Sequence, residues 1–174
     1  MSKKILVAYA SKAGSTVGVA EAIGKTLAES GASVDVREVK QVADLSPYHA
    51  VVVGSAIRGG KWLPEAMQFV QTHQATLAQK PFAAFLVCMT LTISNDKYRG
   101  HVADFLRPVR ALAKPVSEGL FAGALDISKV PSFRDRLKFR LSVAFGIWSE
   151  GDHRDWNAIR AWADSVRPAL LQQG

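Results

Sequence analysis

The chain of 174 residues is long enough for one domain with a full core and short for two. Its apolar fraction of 48% suits an ordinary globular protein, and no apolar run approaches the roughly 20 residues that span a bilayer. The formal charge of +7 is uneven, because "KVPSFRDRLKFR" at 129–140 holds five basic side chains against one Asp. Such a concentration points either to a local anionic partner or to a solvated helix face. The single cysteine, Cys88, excludes an internal disulfide framework and fits a reducing cytoplasm. Four scattered histidines give no metal-ligand spacing, so no metal is expected.

The basic start "MSKKILVAYA" runs straight into a turn. It lacks the length and cleavage site of a signal peptide, and "KILVAYA" (4–10) reads as a strand buried on both faces. Residues 16–29 place Val19, Ala20, Ile23 and Leu27 at helical spacing, with Gly31 as a stop. "SVDVREV" (33–39) alternates as a second strand, and "HAVVVGSA" (49–56) is a continuously apolar third. A Gly-rich loop leads to a helix over 63–77, whose first turn accommodates Pro64. "PFAAFLVCM" (81–89) is a fourth strand, residues about 98–113 a third helix, and "SEGLFAGAL" (117–125) a fifth strand weakened by two glycines. The last helix, about 153–171, sets Trp156, Ile159, Ala163 and Val166 on one side. Strands alternating with helices predict an α/β fold, a doubly wound five-stranded parallel sheet in a single domain over 1–174. Residues 131–148 stand outside the alternation and read as a helical insertion before the last helix.

Two phrases in "YASKAGSTVGVAEAIGKTL" (9–27) have the composition of phosphate loops. Gly24-Lys25-Thr26 lacks the earlier glycine of a P-loop, since position 19 is Val, and it falls within strong helical periodicity. Lys25 is therefore expected on a solvent-facing helix surface. The other phrase, Ser11-Lys12-Ala13-Gly14-Ser15-Thr16, directly follows a buried strand and precedes a helix. A loop there aims backbone N–H groups and the positive end of the helix dipole at one spot. The hydroxyls of Ser11, Ser15 and Thr16 add donors, and Gly14 permits close approach of an anion. This hydroxyl-rich loop resembles that of the flavodoxins, and the resemblance implies that it holds the phosphate of FMN.

A flavodoxin-like strand order of 2-1-3-4-5 would put the ligand at the carboxyl ends of strands one, three and four. The loop after strand three, "SAIRGGKWLPE" (55–65), offers Ile57, Arg58, Gly59, Gly60, Lys61 and Trp62. The glycines suit close approach to a flat ring, Trp62 either stacks on it or packs, and Arg58 or Lys61 can stabilise negative charge at the ring's N1–C2 edge. After strand four, the loop 88–100 begins Cys88, Met89, Thr90, Leu91, Thr92, and it can border the flavin.

"GSAIRGGKW", the Phe69-Val70 helix, the Asp155-Trp156 pair and the basic insertion "SFRDRLKFRLSVAFGIW" together resemble a narrower branch. That branch is the quinone-dependent protoporphyrinogen dehydrogenases, and the likeness extends over nearly the whole chain. It implies an FMN-dependent oxidoreductase passing electrons between a reduced donor, porphyrinogen or NAD(P)H, and a quinone-type acceptor. The alternative is an electron shuttle of the flavodoxin type, although such shuttles are usually acidic and this chain is basic. A small-molecule redox substrate, and no nucleic acid, is the expected partner. On a helical wheel Phe133, Leu137, Leu141, Ala144, Phe145 and Trp148 share one arc, while Phe139 and Val143 fall elsewhere. Apolar residues among cations fit an interfacial helix, so 131–148 is expected either to make a peripheral membrane contact or, with its cations solvated, to pack on the sheet or mediate a homodimer. The location implied is cytoplasmic, either free or peripheral to the inner face of the membrane.

Overall fold

A computed structural model of the chain describes residues 3–93 and 96–172. Ser94 and Asn95, in the expected loop after the fourth strand, lie outside the described residues. The apolar runs form strands β1 (Lys4–Ala10), β2 (Ser33–Glu38), β3 (Ala50–Arg58), β5 (Phe82–Val87) and β6 (Glu118–Phe121), all parallel in the order β2-β1-β3-β5-β6. A two-residue strand, β4 (Lys61–Trp62), folds back antiparallel on β3. Counted without β4, this is the expected order 2-1-3-4-5.

Each central strand divides its side chains between two cores, because alternate residues of a strand face opposite sides. Ile5, Val7, Val52 and Phe85 point to one layer, covered by α1 (Ser15–Ala28) and α7 (Trp156–Leu171) through Val19, Ile23, Ile159 and Val166. Leu6, Ala8, Val51, Val53 and Leu86 point to the other. There they meet Leu63 and residues of α2 (Pro64–Thr72), α3 (Gln74–Leu77), α4 (Asp96–Ala103) and α5 (Arg107–Leu112), among them Phe69, Leu77, Val102 and Val109. Continuous burial on both faces is why these strands read as unbroken apolar runs. The Gly24–Thr26 phrase lies inside α1. A Cβ on Gly24 would stand 2.4 Å from Val36, so this glycine lets the helix settle on β2, and Lys25 is exposed.

Three elements differ from the sequence reading. The helix over 63–77 breaks at His73 into α2 and α3, and the helix over 98–113 is interrupted by a 3-10 turn at Asp104–Leu106. The fifth strand stops at Phe121. After Gly123 the chain leaves the sheet, and β7 (Ala124–Leu125) pairs antiparallel with β8 (Gly151–Asp152) instead. Between these two short strands runs α6 (Phe133–Ala144), the expected insertion. Asp155 then caps α7 by accepting from the Ala158 N–H at 3.0 Å, which explains the start of that helix.

Arg154, just after β8, ties this late segment to the start of the chain. Its Nε and Nη2 donate to Asp152 at 2.8 Å, its Nη1 donates to the Ser15 carbonyl at 3.2 Å, and its guanidinium lies 4.6 Å from the Trp156 ring centroid.

Two predictions come from this packing. A Cβ on Gly54 would stand 2.0 Å from the Phe85 ring. Gly54→Ala should cost about 3 kcal/mol or more through overpacking, and adding Phe85→Leu should recover part of it, both read from urea midpoints. The hydrogen bonds from Arg154 hold the Asp152 carboxyl down, from 3.8 to about 2. A carboxyl depressed on folding stabilises the native state above its unfolded pKa, and that contribution disappears as pH falls through the folded value. The stability difference between wild type and Asp152→Asn should therefore be constant at neutral pH and shrink between roughly pH 4 and pH 2. Melting curves across that window check it.

Candidate functional site

Because the five main strands of the sheet point the same way, the loops after β1, β3 and β5 gather along one edge. The β1–α1 loop is folded by Ser11, whose hydroxyl accepts from the Gly14 N–H at 3.1 Å. Gly14 has φ 89°, a left-handed conformation that favours glycine, and a Cβ there would find open space. It occupies the N-cap of α1 without a side-chain cap, and the first turn carries no acidic residue. The first amides of α1 consequently lack intrahelical acceptors, and nothing offsets the positive end of the helix. Thr16 is fully buried, and its Oγ1 has no hydrogen-bond partner among the described residues. A buried hydroxyl of that kind costs stability until something accepts from it. Lys12, exposed, stands 3.9 Å from Glu65. Uncapped amides, an open glycine and an orphan hydroxyl form a cradle with the chemistry of a phosphate site.

The second loop is a tight hairpin. Arg58 pairs with Lys61, and Gly59 and Gly60 between them have φ 55° and 72°. Positive φ at both central positions is what a two-residue turn of this kind demands, so turn geometry alone accounts for the two glycines. Trp62 is 4% exposed within the core, which favours the packing role over an open stacking surface. Lys61 is exposed. The Arg58 Nη2 donates to the Asp135 carboxylate of α6 at 2.5 Å.

In the third loop Cys88 is buried, and its N–H donates to the Phe121 carbonyl at 2.9 Å. Met89–Thr92 form a 3-10 turn in which the Thr92 hydroxyl donates to the Met89 carbonyl at 2.8 Å.

These elements surround a cleft open to solvent. Of the residues expected from sequence, it brings together Lys12, Ala13, Ser15, Ile57, Arg58 and Met89. Ser11, Gly14 and Thr16 support the loop beside it, while Gly59, Gly60, Lys61, Trp62, Cys88, Thr90, Leu91 and Thr92 do not line it. Sequence reasoning missed the opposite wall, made by Gly123, Leu125, Val130, Pro131 and Phe139. The one signal for it was Gly123 in the weakened fifth strand, where a Cβ would stand 3.1 Å from Val87 and 3.4 Å from the Ser15 hydroxyl. The cleft is largely apolar, with Arg58 in its wall, and suits a flat ring carrying an anionic tail.

The insertion helix closes this wall with one face. Phe139 enters the cleft and its ring lies 5.5 Å from that of Trp148. Trp148 thus stands beside Phe139 and not with Phe133, Leu137, Leu141 and Phe145, whose arc the helical wheel gives it. Turned to solvent are Phe133, 75% exposed, Leu137 and Leu141 at 51% and 50%, and Phe145 at 78%. No residue of α6 is buried.

A family model described as the flavodoxin domain matches residues 6–153. The protoporphyrinogen IX dehydrogenase (quinone) of Leishmania major is 29% identical over 173 residues, covering 93% of this chain and 74% of the relative. Among solved structures, a flavodoxin from the domain Archaea superposes with a TM-score of 0.57 at 20% identity, covering 97% of this chain and 99% of the other. A short-chain flavodoxin associated with a non-canonical PDU bacterial microcompartment does so with a TM-score of 0.60 at 15% identity and the same coverage. At such identities the structures establish the fold, and the family match extends over most of the chain. The chain belongs to the flavodoxin-domain family, and its cofactor is FMN.

Proposed function

We propose that this flavoprotein is an oxidoreductase that passes electrons from a reduced small molecule, porphyrinogen or NAD(P)H, to a quinone-type acceptor. The observation that carries this reading is α6, which sets Phe139 in the cleft wall and carries four cations, Arg134, Arg136, Lys138 and Arg140. An electron shuttle docking on proteins needs its flavin edge open; a walled apolar cleft suits a small substrate. The distant dehydrogenase relative supports the same class.

FMN, when bound, supplies the hydride and electron transfer. The chain's own residues bind and tune it. In this reading Ser11–Thr16 hold the phosphate, with the orphan hydroxyl of Thr16 as donor. Ile57 and Met89 contact the ring and exclude water, and Arg58 supplies positive charge for the N1–C2 edge. The outward stripe of α6, interleaved with Arg134, Lys138 and Arg140, lies on an anionic membrane surface, which delivers lipid-soluble substrates. Among the described residues no helix is long and apolar enough to cross a membrane, so contact would be peripheral.

Thr16→Val separates binding from folding. Removing an unpartnered buried hydroxyl should leave the FMN-free protein as stable or slightly more stable, while FMN binding weakens by about 1.5–3 kcal/mol. Titration against FMN and riboflavin checks it, since riboflavin affinity should be indifferent to the change. Arg58→Ala should lower the flavin midpoint potential and spare phosphate binding; an unchanged potential in spectroelectrochemical titration rejects its assigned role. Co-sedimentation with anionic vesicles tests the membrane contact. At roughly 1 kcal/mol per basic residue near the surface, Arg134→Glu with Lys138→Glu should abolish salt-sensitive binding. Wild type that stays in the supernatant but elutes as a dimer assigns the stripe to a second copy. Turnover of a quinone with NAD(P)H or a porphyrinogen separates enzyme from shuttle.

A further inference from the structure

Asp135 is the one carboxylate in α6, which also carries Arg134, Arg136, Lys138 and Arg140. A helix with that balance repels any cation brought beside it. Yet α6 stands against Arg58, and Asp135 is the residue that permits it. Their contact at 2.5 Å joins positions 77 residues apart, with the side chains 37% and 30% exposed. Ser132 caps α6 by accepting from the Asp135 N–H at 3.4 Å. A carboxylate at this third helical position ordinarily turns back onto the helix's own first amides. Here it reaches out to another element.

The two ends of the pair differ in freedom. Arg58 is the last residue of β3, held in register with Lys61 by the two-glycine turn. The helix is held less firmly: none of its residues is buried, and Phe139 is its one residue in the cleft wall. A fixed cation and a loosely held helix joined by one ion pair make a latch with a single movable side.

We propose that Asp135 positions Arg58 and sets how much of its charge reaches the flavin cleft, so that the docking of α6 and the reduction potential of the cofactor are coupled. This rests on the reading above, in which Arg58 faces the ring. Reduction of the cofactor builds negative charge at the ring edge, and that charge competes with Asp135 for one guanidinium. Reduction therefore loosens α6, and by reciprocity a docked α6 disfavours reduction. Asp135 touches no reacting atom and acts through Arg58, as a positioning residue. Opening the latch would free Phe139 from the cleft wall in the reduced state, when an acceptor has to enter.

Hydrogen exchange over 133–144 is measured in FMN-free protein, in FMN-loaded oxidised protein, and after reduction with dithionite. Midpoint potentials are measured alongside, for wild type, Asp135→Asn, Asp135→Glu and Arg58→Met. Asp135→Asn should speed α6 exchange roughly tenfold, the loss of one charge-assisted hydrogen bond, and leave β1, β3 and β5 protected as before. The same variant should raise the potential, because Arg58 is no longer neutralised, and should raise it much less in an Arg58→Met background, where only the lost carboxylate charge itself acts. Asp135→Glu should restore most of both properties. Reduction should speed α6 exchange in wild type and not in Arg58→Met. An unmoved potential in Asp135→Asn, or equal α6 exchange in oxidised and reduced wild type, overturns the coupling. Failure of the flavin reading shows separately, as wild type that retains no FMN. The coupling then falls with it, and exchange in the FMN-free variants still reports whether the Arg58–Asp135 contact holds α6.

Discussion

The polarity of the parallel sheet is the constraint on which the rest of the molecule depends. Five strands running one way deliver all their carboxyl ends, and the start of α1, to a single edge. That edge collects unsatisfied backbone N–H groups, because the first turn of a helix has no intrahelical acceptors. Side chains cover such groups at α7, through Asp155, and at α6, through Ser132, whereas α2, α3 and α5 have no side-chain cap. At α1 they are left uncapped, behind a glycine with nothing near it. The start of α1, beside Lys12, thus concentrates positive potential at one place, and a phosphate is the natural complement.

Around this fixed centre the walls differ in rigidity. The β3–β4 hairpin is held by a turn that glycine favours and by Trp62 in the core. The loop after β5 is tied to β6 through the backbone of Cys88. Opposite them α6 has no buried residue and presents apolar side chains on both its faces. Its cationic surplus opposes association with the basic remainder of the protein, and one carboxylate reverses that sign locally. Stability is therefore unevenly distributed around the cleft, with the low end where a substrate would enter.

The legible parts of the sequence are those whose cause is local. Burial on both faces turns β1, β3 and β5 into unbroken apolar runs, and the β1–α1 loop carries its hydroxyls and glycine within six residues, so both could be read without a structure. Gly59 and Gly60 were legible as special but not as to why: close approach to a ring and a two-residue turn ask for the same residue. The fifth strand was read too long because Ala124 and Leu125 are apolar enough for the sheet, yet pair with a segment more than twenty residues later. Arg58–Asp135 was beyond reach for the same reason, since nothing near either residue announces the other. Trp148 shows the limit of a helical wheel, for it lies past the end of α6 at Ala144, where the helical period no longer applies.

The contact between Arg154 and Ser15 spans 139 positions, and it imposes an order in time on a chain made from one end. The β1–α1 loop is made before the strands flanking β1 and before the arginine that braces the start of α1. At about 5–20 residues per second, synthesis of the intervening chain takes on the order of ten seconds, and during it the loop has no Arg154 brace. A truncated product that ends before β8 cannot carry the Arg154 brace on the start of α1.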